Sequence, residues 1–129
     1  MPKSLLLDTH VLLWIAMRDP RLGPGASAAI GDGSRLVFVS AATAWEIAIM
    51  RGLGKLEAPT DYFALLAFYR FSPLDLTTEH ALAVETLAEH HRDPFDRMLV
   101  AQAQVEDLTL VSHDARLAGY GVSYLDAGA

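Results

Sequence analysis

The chain has 129 residues, of which 52% are apolar and 20% charged. That is enough for one domain, residues 1–129, with a sizeable core, and it excludes a disordered chain. The absence of cysteine excludes disulfides and thiolate metal sites and fits a cytoplasmic protein. No apolar run is long enough to span a bilayer. The net charge of −6 argues against non-specific nucleic-acid binding, yet it does not exclude a nuclease whose own metal-binding acids supply part of the excess.

In chain order, Ser4–Leu7 predicts a short buried strand, followed by a helix from about His10 to Met17 that Asp19-Pro20 breaks. The opening LLLDTHVLLWIAM carries an acid near its start and reads as strand then helix, not as a signal peptide. Pro24 to Gly31 predicts a second short helix. Leu36–Val39 is a β-rich run, and Ala42–Leu53 a helix closed by Gly52 and Gly54. Tyr62–Arg70 is helical. Phe71–Leu74 predicts a strand that Pro73 assigns to a sheet edge. Thr77–His90 predicts a helix. Asp93 and Pro94 then suit the N-cap and first position of a helix running to about Glu106. Thr109–Ser112 and Val122–Tyr124 are the last expected strands. Strands alternating with helices predict an α/β fold, a central parallel sheet with helices on both faces. Right-handed crossovers place every strand C-terminus on one edge, where ligands bind in such sheets.

Four carboxylates carry the chemistry: Asp8, Glu46, Asp96 and Asp114, each flanked by apolar sequence at an element boundary. A charge in or beside a core is costly unless paired or metal-bound. No Lys or Arg follows Asp8 before Arg18, and Glu46 is the only charged residue between Arg35 and Arg51. Each acid also has a plainer reading. Asp8 can cap a helix, Glu46 can lie on a solvated face, Asp96 can close a capping box with Asp93, and Asp114 can make a turn. Jointly the plain readings weaken, because the predicted topology brings these positions towards one edge. Hard oxygen ligands favour Mg²⁺ or Mn²⁺ and suit phosphodiester hydrolysis.

The strings LLLDTHVLLW, SAATAWEIAIMRGLGKL, HRDPFDRMLVAQAQ and LVSHD resemble, in order and at compatible spacing along the whole chain, the PIN-domain ribonucleases. The likeness is greatest to the toxin component of VapBC-type toxin–antitoxin pairs. The resemblance implies a three-layer α/β/α domain, a metal-dependent endoribonuclease, and a cognate VapB-like antitoxin covering the acidic groove. It also implies a homodimer and no membrane association. By motif, Asp8, Glu46, Asp96 and Asp114 take the catalytic and metal-binding positions, while Ser40 and Thr43 match small hydroxyl positions near the pocket. Ser112 stands where the fourth motif often has Thr, a departure that keeps the hydroxyl.

Among the supporting residues, Asp93 reads as a cap or outer support, and Thr9 as a hydroxyl that positions water or metal or makes a local turn bond. Arg97 reads as a phosphate contact or an ion pair at the helix start. The apolar residues Trp14, Trp45, Phe63, Leu66 and Phe68 read as core or interface. His90-His91 is not a helical i, i+4 pair and receives no role, and Ser112-His113-Asp114 cannot converge as a catalytic triad. Two other classes stay open: a non-catalytic metal- or partner-binding module with the same fold, and a phosphatase of the receiver-like or haloacid-dehalogenase type. The second lacks support, because the latter type needs an Asp at position 10, which is His.

Overall fold

In a computed structural model of the chain, which describes residues 3–56, 61–89 and 91–129, five strands form one sheet. They are β1 (Leu5–Leu7), β2 (Val37–Ser40), β3 (Ser72–Leu74), β4 (Thr109–Ser112) and β5 (Tyr124–Asp126), in the order β3-β2-β1-β4-β5. Every pairing is parallel, with Leu5 opposite both Val37 and Thr109. The helices are α1 (Thr9–Met17), α2 (Pro24–Gly31), α3 (Ala41–Gly52), α4 (Tyr62–Tyr69), α5 (Thr78–Ala83) and α6 (Pro94–Glu106).

The alternation of side chains along β1 builds the layers. Leu5, Leu6 and Leu7 are all fully buried. Leu5 and Leu7 join Val11 and Leu12 of α1, Ile47 of α3 and Leu66 of α4 in one apolar cluster. Leu6 joins Leu99, Val100 and Ala103 of α6, with Leu110 and Leu117, in the other. A sheet buried on both faces explains why the central strands are continuous apolar runs with no alternation. Pro73 lies on β3, an edge strand, as its missing amide predicts.

Three elements depart from the sequence reading. The helix expected over Thr77–His90 stops at Ala83 and tightens into a 3₁₀ turn over Val84–Thr86; its expected end, His90, lies outside the described residues. A 3₁₀ segment at Ala115–Tyr120 has no counterpart in the expectations. The last strand begins at Tyr124, two residues later than expected, because Gly121 is still turning at φ +75°. Among the described residues no helix is long and apolar enough to cross a membrane.

The strand order fixes where a ligand can enter. The chain leaves β1 towards β2 and β3, then returns to β1's other side for β4 and β5. Adjacent connections diverge at the C-terminal ends of β1 and β4, and the diverging loops leave a crevice there.

Candidate active site

Asp8 is the first residue after β1 and stands in that crevice. Its backbone N–H donates to the Val111 carbonyl at 3.0 Å, tying it to β4. Its side chain caps α1, accepting from the Val11 amide at 2.8 Å. The residue is only 4% exposed. Burial raises its carboxyl above the usual range, and the charge of Asp114 adds to that, although hydrogen bonds from Ser112 and Val11 oppose it. The cap and the charge are therefore compatible roles: one oxygen serves the helix, and the ionised group still lacks a counter-charge.

Thr9, next in sequence and buried, places its hydroxyl 2.6 Å from Glu46 Oε1 and 3.2 Å from the Thr43 hydroxyl. A carboxylate only accepts, so the Thr9 proton goes to Glu46, and the Thr43 hydroxyl supplies the proton of the second contact. Glu46 on α3 is thus aimed from α1. It is not among the residues lining the main cavity, but its charge reaches Asp96. Ser40 ends β2 and caps α3 by accepting from the Ala42 amide at 3.0 Å. Thr9→Val keeps the packing shape and removes the proton that orients Glu46. It should weaken Mn²⁺ binding about 10-fold or more in a metal titration, while unfolding stability falls only about 1 kcal/mol from the unpaired Thr43 hydroxyl.

Asp93 caps α6, accepting from the amides of Phe95 at 2.8 Å and Asp96 at 3.3 Å. The capping box expected between Asp96 and Asp93 does not form: the Asp93 amide donates to His91 Nδ1 at 3.0 Å. Asp96 is thereby left to the crevice. Burial, reinforced by the charges of Asp93, Asp8 and Glu46, pushes its carboxyl up to about 6.

Asp114 is different in kind. It follows β4, where its amide donates to the Ser112 hydroxyl at 3.0 Å. Arg116 grips it in a fork, Nε to Oδ1 at 3.0 Å and the NH2 nitrogen to Oδ2 at 2.8 Å, with the Arg116 amide also on Oδ1. His91 Nε2 adds a contact to Oδ2 at 2.8 Å. The Arg116 side chain, above all, holds this carboxyl well below the ordinary range. Asp114 therefore already has a cationic partner within the fold, which the sequence alone does not reveal.

Asp8, Asp93, Asp96 and Asp114 line one cavity of about 510 Å³ with His10, Trp14, His91, His113 and Arg116. Of the expected apolar residues, Trp14 and Leu66 are buried, whereas Trp45, Phe63 and Phe68 are exposed. Arg97 does not line the cavity and makes no ion pair with Asp96. Its guanidinium donates to the carbonyls of Ala88, His91, Val84 and Leu87 and to the Tyr120 hydroxyl. Sequence reasoning passed over His91 and Arg116. The signal for His91 was its place two residues before an N-cap, where a ring nitrogen can reach the cap's amide; a search for helical metal-ligand spacing misses that.

The residues present fit a divalent cation. Asp8, Glu46 and Asp96 supply hard oxygen donors, and two of the three have carboxyls raised first by burial and then by neighbouring acids, Asp114 for Asp8 and Asp93, Asp8 and Glu46 for Asp96, an excess that a cation would relieve. Fold and site define a doubly wound, wholly parallel α/β domain with an acidic, oxygen-lined cavity at the switch point of its sheet. The chain belongs to the PIN domain family, whose model matches residues 5–122.

Among solved structures, the chain is similar to VapBC2 from Rickettsia felis bound to a DNA fragment from its promoter. The TM-score is 0.71 at 13% identity, covering 95% of this chain and 97% of that one. It is also similar to DNA-bound VapBC from Salmonella typhimurium (TM-score 0.68, 21% identity, 98% and 99% covered). A toxin–antitoxin complex from Klebsiella pneumoniae matches at TM-score 0.67 and 17% identity, with 96% and 98% covered. At these identities the likeness is one of fold. No curated protein matches significantly in sequence.

Proposed function

We propose that this protein is a metal-dependent endoribonuclease of the toxin type, acting in the cytoplasm and neutralised by a cognate VapB-like antitoxin. One observation supports the reading: Asp8 and Asp96 line one cavity at the switch point of a PIN-family sheet, the charge of Glu46 reaches Asp96, and among the described residues the only Lys or Arg lining that cavity, Arg116, is committed to Asp114. The uncompensated acids call for Mg²⁺ or Mn²⁺, and such an ion lowers the cost of generating a nucleophile from water and of charging the phosphoryl oxygens. Asp8 and Asp96 would hold the ion, and Glu46, aimed by Thr9, would complete the acid set. RNA enters from the open side, past His10 and His113. In-line attack by water, with the 3′ oxygen leaving, gives 5′-phosphate and 3′-hydroxyl ends.

Among the structural neighbours are DNA-bound VapBC assemblies and a toxin–antitoxin complex, which supports an inhibitory partner here. An antitoxin segment presenting Arg or Lys to the acids would supply the missing positive charge. The exposed apolar residues Trp45, Phe63 and Phe68 suit further protein contacts, a homodimer among them.

The test is incubation of antitoxin-free protein with total cellular RNA in Mn²⁺ or Mg²⁺, beside EDTA and Asp8→Asn, with cleaved ends mapped. Asn keeps the α1 cap, so the variant folds while the charge is lost. Discrete cuts with 5′-phosphate ends should appear only with metal and only in the wild type. Cuts that survive EDTA, or an Asp8→Asn enzyme as active as wild type, would refute the reading.

A further inference from the structure

His91 Nε2 lies 2.8 Å from Asp114 Oδ2 and 3.1 Å from Asp96 Oδ2. One ligand-type atom from each of these three residues lies within 4.8 Å of the others, a spacing that alone reads as a cation site with one nitrogen ligand. The other side of the ring argues against it. The Asp93 backbone N–H donates to Nδ1 at 3.0 Å, and a backbone amide can only donate. A neutral imidazole carries one N–H, so an accepting Nδ1 puts the hydrogen on Nε2 and leaves that atom no lone pair for a cation. Asp114 is equally committed: its two oxygens receive the Arg116 amide, the Arg116 fork and His91, which uses about the four acceptor directions a carboxylate has.

We propose that His91 is a positioning residue and not a metal ligand: fixed as the Nε2–H tautomer by the Asp93 amide and donating that hydrogen to Asp114 Oδ2, it turns the positive end of the N–H towards Asp96 Oδ2, 3.1 Å from the nitrogen, and so orients that carboxylate for the cation. The proposal rests on the metal-dependent reading above and deepens it. It divides the acids into two groups. Asp8, Glu46 and Asp96 face the ion; Asp114, with Arg116 behind it, supports the histidine that aims Asp96. The ligand set is then all oxygen, which favours Mg²⁺ or Mn²⁺ over metals that prefer imidazole. The arrangement depends on one turn of sequence. His91 reaches Asp93's amide only because Asp93 caps α6 with its side chain and leaves its own N–H pointing back.

The experiment uses the full chain labelled with ¹⁵N-histidine. Long-range ¹H–¹⁵N spectra of the wild type, without metal and with Mg²⁺, should show His91 as the Nε2–H tautomer in both. Electron-spin-echo spectra of the Mn²⁺-loaded protein should show no ¹⁵N coupling from His91. Glutamine reaches to the Nε2 position with an N–H donor, so His91→Gln should keep Mn²⁺ affinity within about threefold, whereas His91→Leu should lose about tenfold or more. A ¹⁵N coupling that disappears in His91→Gln, an Nδ1–H tautomer after Mg²⁺ addition, or equal Mn²⁺ affinities in the two variants would each overturn the proposal. Failure of the wild type to bind Mn²⁺ would remove the metal-dependent reading and this proposal with it; binding through the histidine removes this proposal alone.

Discussion

Asp96→Asn should abolish metal-dependent RNA cleavage and, in the metal-free protein at pH 7.5, raise the melting temperature. The loss of activity should be about 10³-fold or more, since on the proposed mechanism the variant removes a charged oxygen ligand where several kcal/mol of phosphoryl charge must be stabilised. The gain in stability follows from the carboxyl's position at about 6, above its ordinary 3.8. A group harder to ionise in the folded state than in the unfolded one favours folding while protonated. That advantage is lost as pH rises from the unfolded value through about 6, and above it the full cost of the charge remains. Two units correspond to about 3 kcal/mol, which partial exposure reduces to about 1–2 kcal/mol. Against this stands the favourable placement of an acid in the first turn of α6, about 0.3–1 kcal/mol. The balance favours the variant by about 1 kcal/mol, a few degrees for a chain of this size. Thermal melts in EDTA at pH 4 and pH 7.5 check the sign: the gain should vanish at the lower pH. A variant no more stable than wild type at pH 7.5 would show that the acids are not under mutual strain, and the argument for a cation would lose its electrostatic basis.

The parts of this molecule legible in its sequence are those set by local pattern. Three buried leucines followed by Asp8, the Asp93-Pro94 helix start and the edge position of Pro73 all follow from rules of burial, capping and missing amides, and the strand order then brings Asp8, Asp96 and Asp114 to one crevice. What was not legible depends on single contacts between distant segments. Asp114 looked like an uncompensated acid because its partner's fork geometry is invisible in a string of letters. His91 looked idle because its role depends on the direction of one backbone amide. The last strand slid by two residues because Gly121 takes a positive φ, and Val122–Tyr124 and Tyr124–Asp126 are about equally plausible as short strands. The early end of α5 has a tertiary cause as well. The carbonyls of Val84, Leu87 and Ala88, which a longer helix would offer to its own amides, face Arg97.

That gives Arg97 its weight, and Arg97→Ala should destabilise the fold by about 2–4 kcal/mol. The guanidinium donates at 2.9 Å to the Ala88 carbonyl and at 3.3–3.5 Å to Val84, Leu87, His91 and the Tyr120 hydroxyl. Bonds to a charged donor are worth about 1.5–3 kcal/mol when short and less when long, so the one short bond and the long ones sum to that range. Lysine offers a point charge in place of the planar fork and cannot reach acceptors spread over this loop; Arg97→Lys should recover less than half of the loss. Because His91 lies at the end of the same loop, the alanine variant should also bind Mn²⁺ more weakly at temperatures where it remains folded. A phosphate-contacting arginine behaves oppositely: its removal leaves the denaturation midpoint unchanged and raises KM for RNA. Urea unfolding of the three proteins, paired with RNA-cleavage kinetics, therefore separates the two roles. The structure assigns Arg97 to the loop, since a side chain that bonds five acceptors around this non-helical segment cannot turn to a substrate without giving up those bonds.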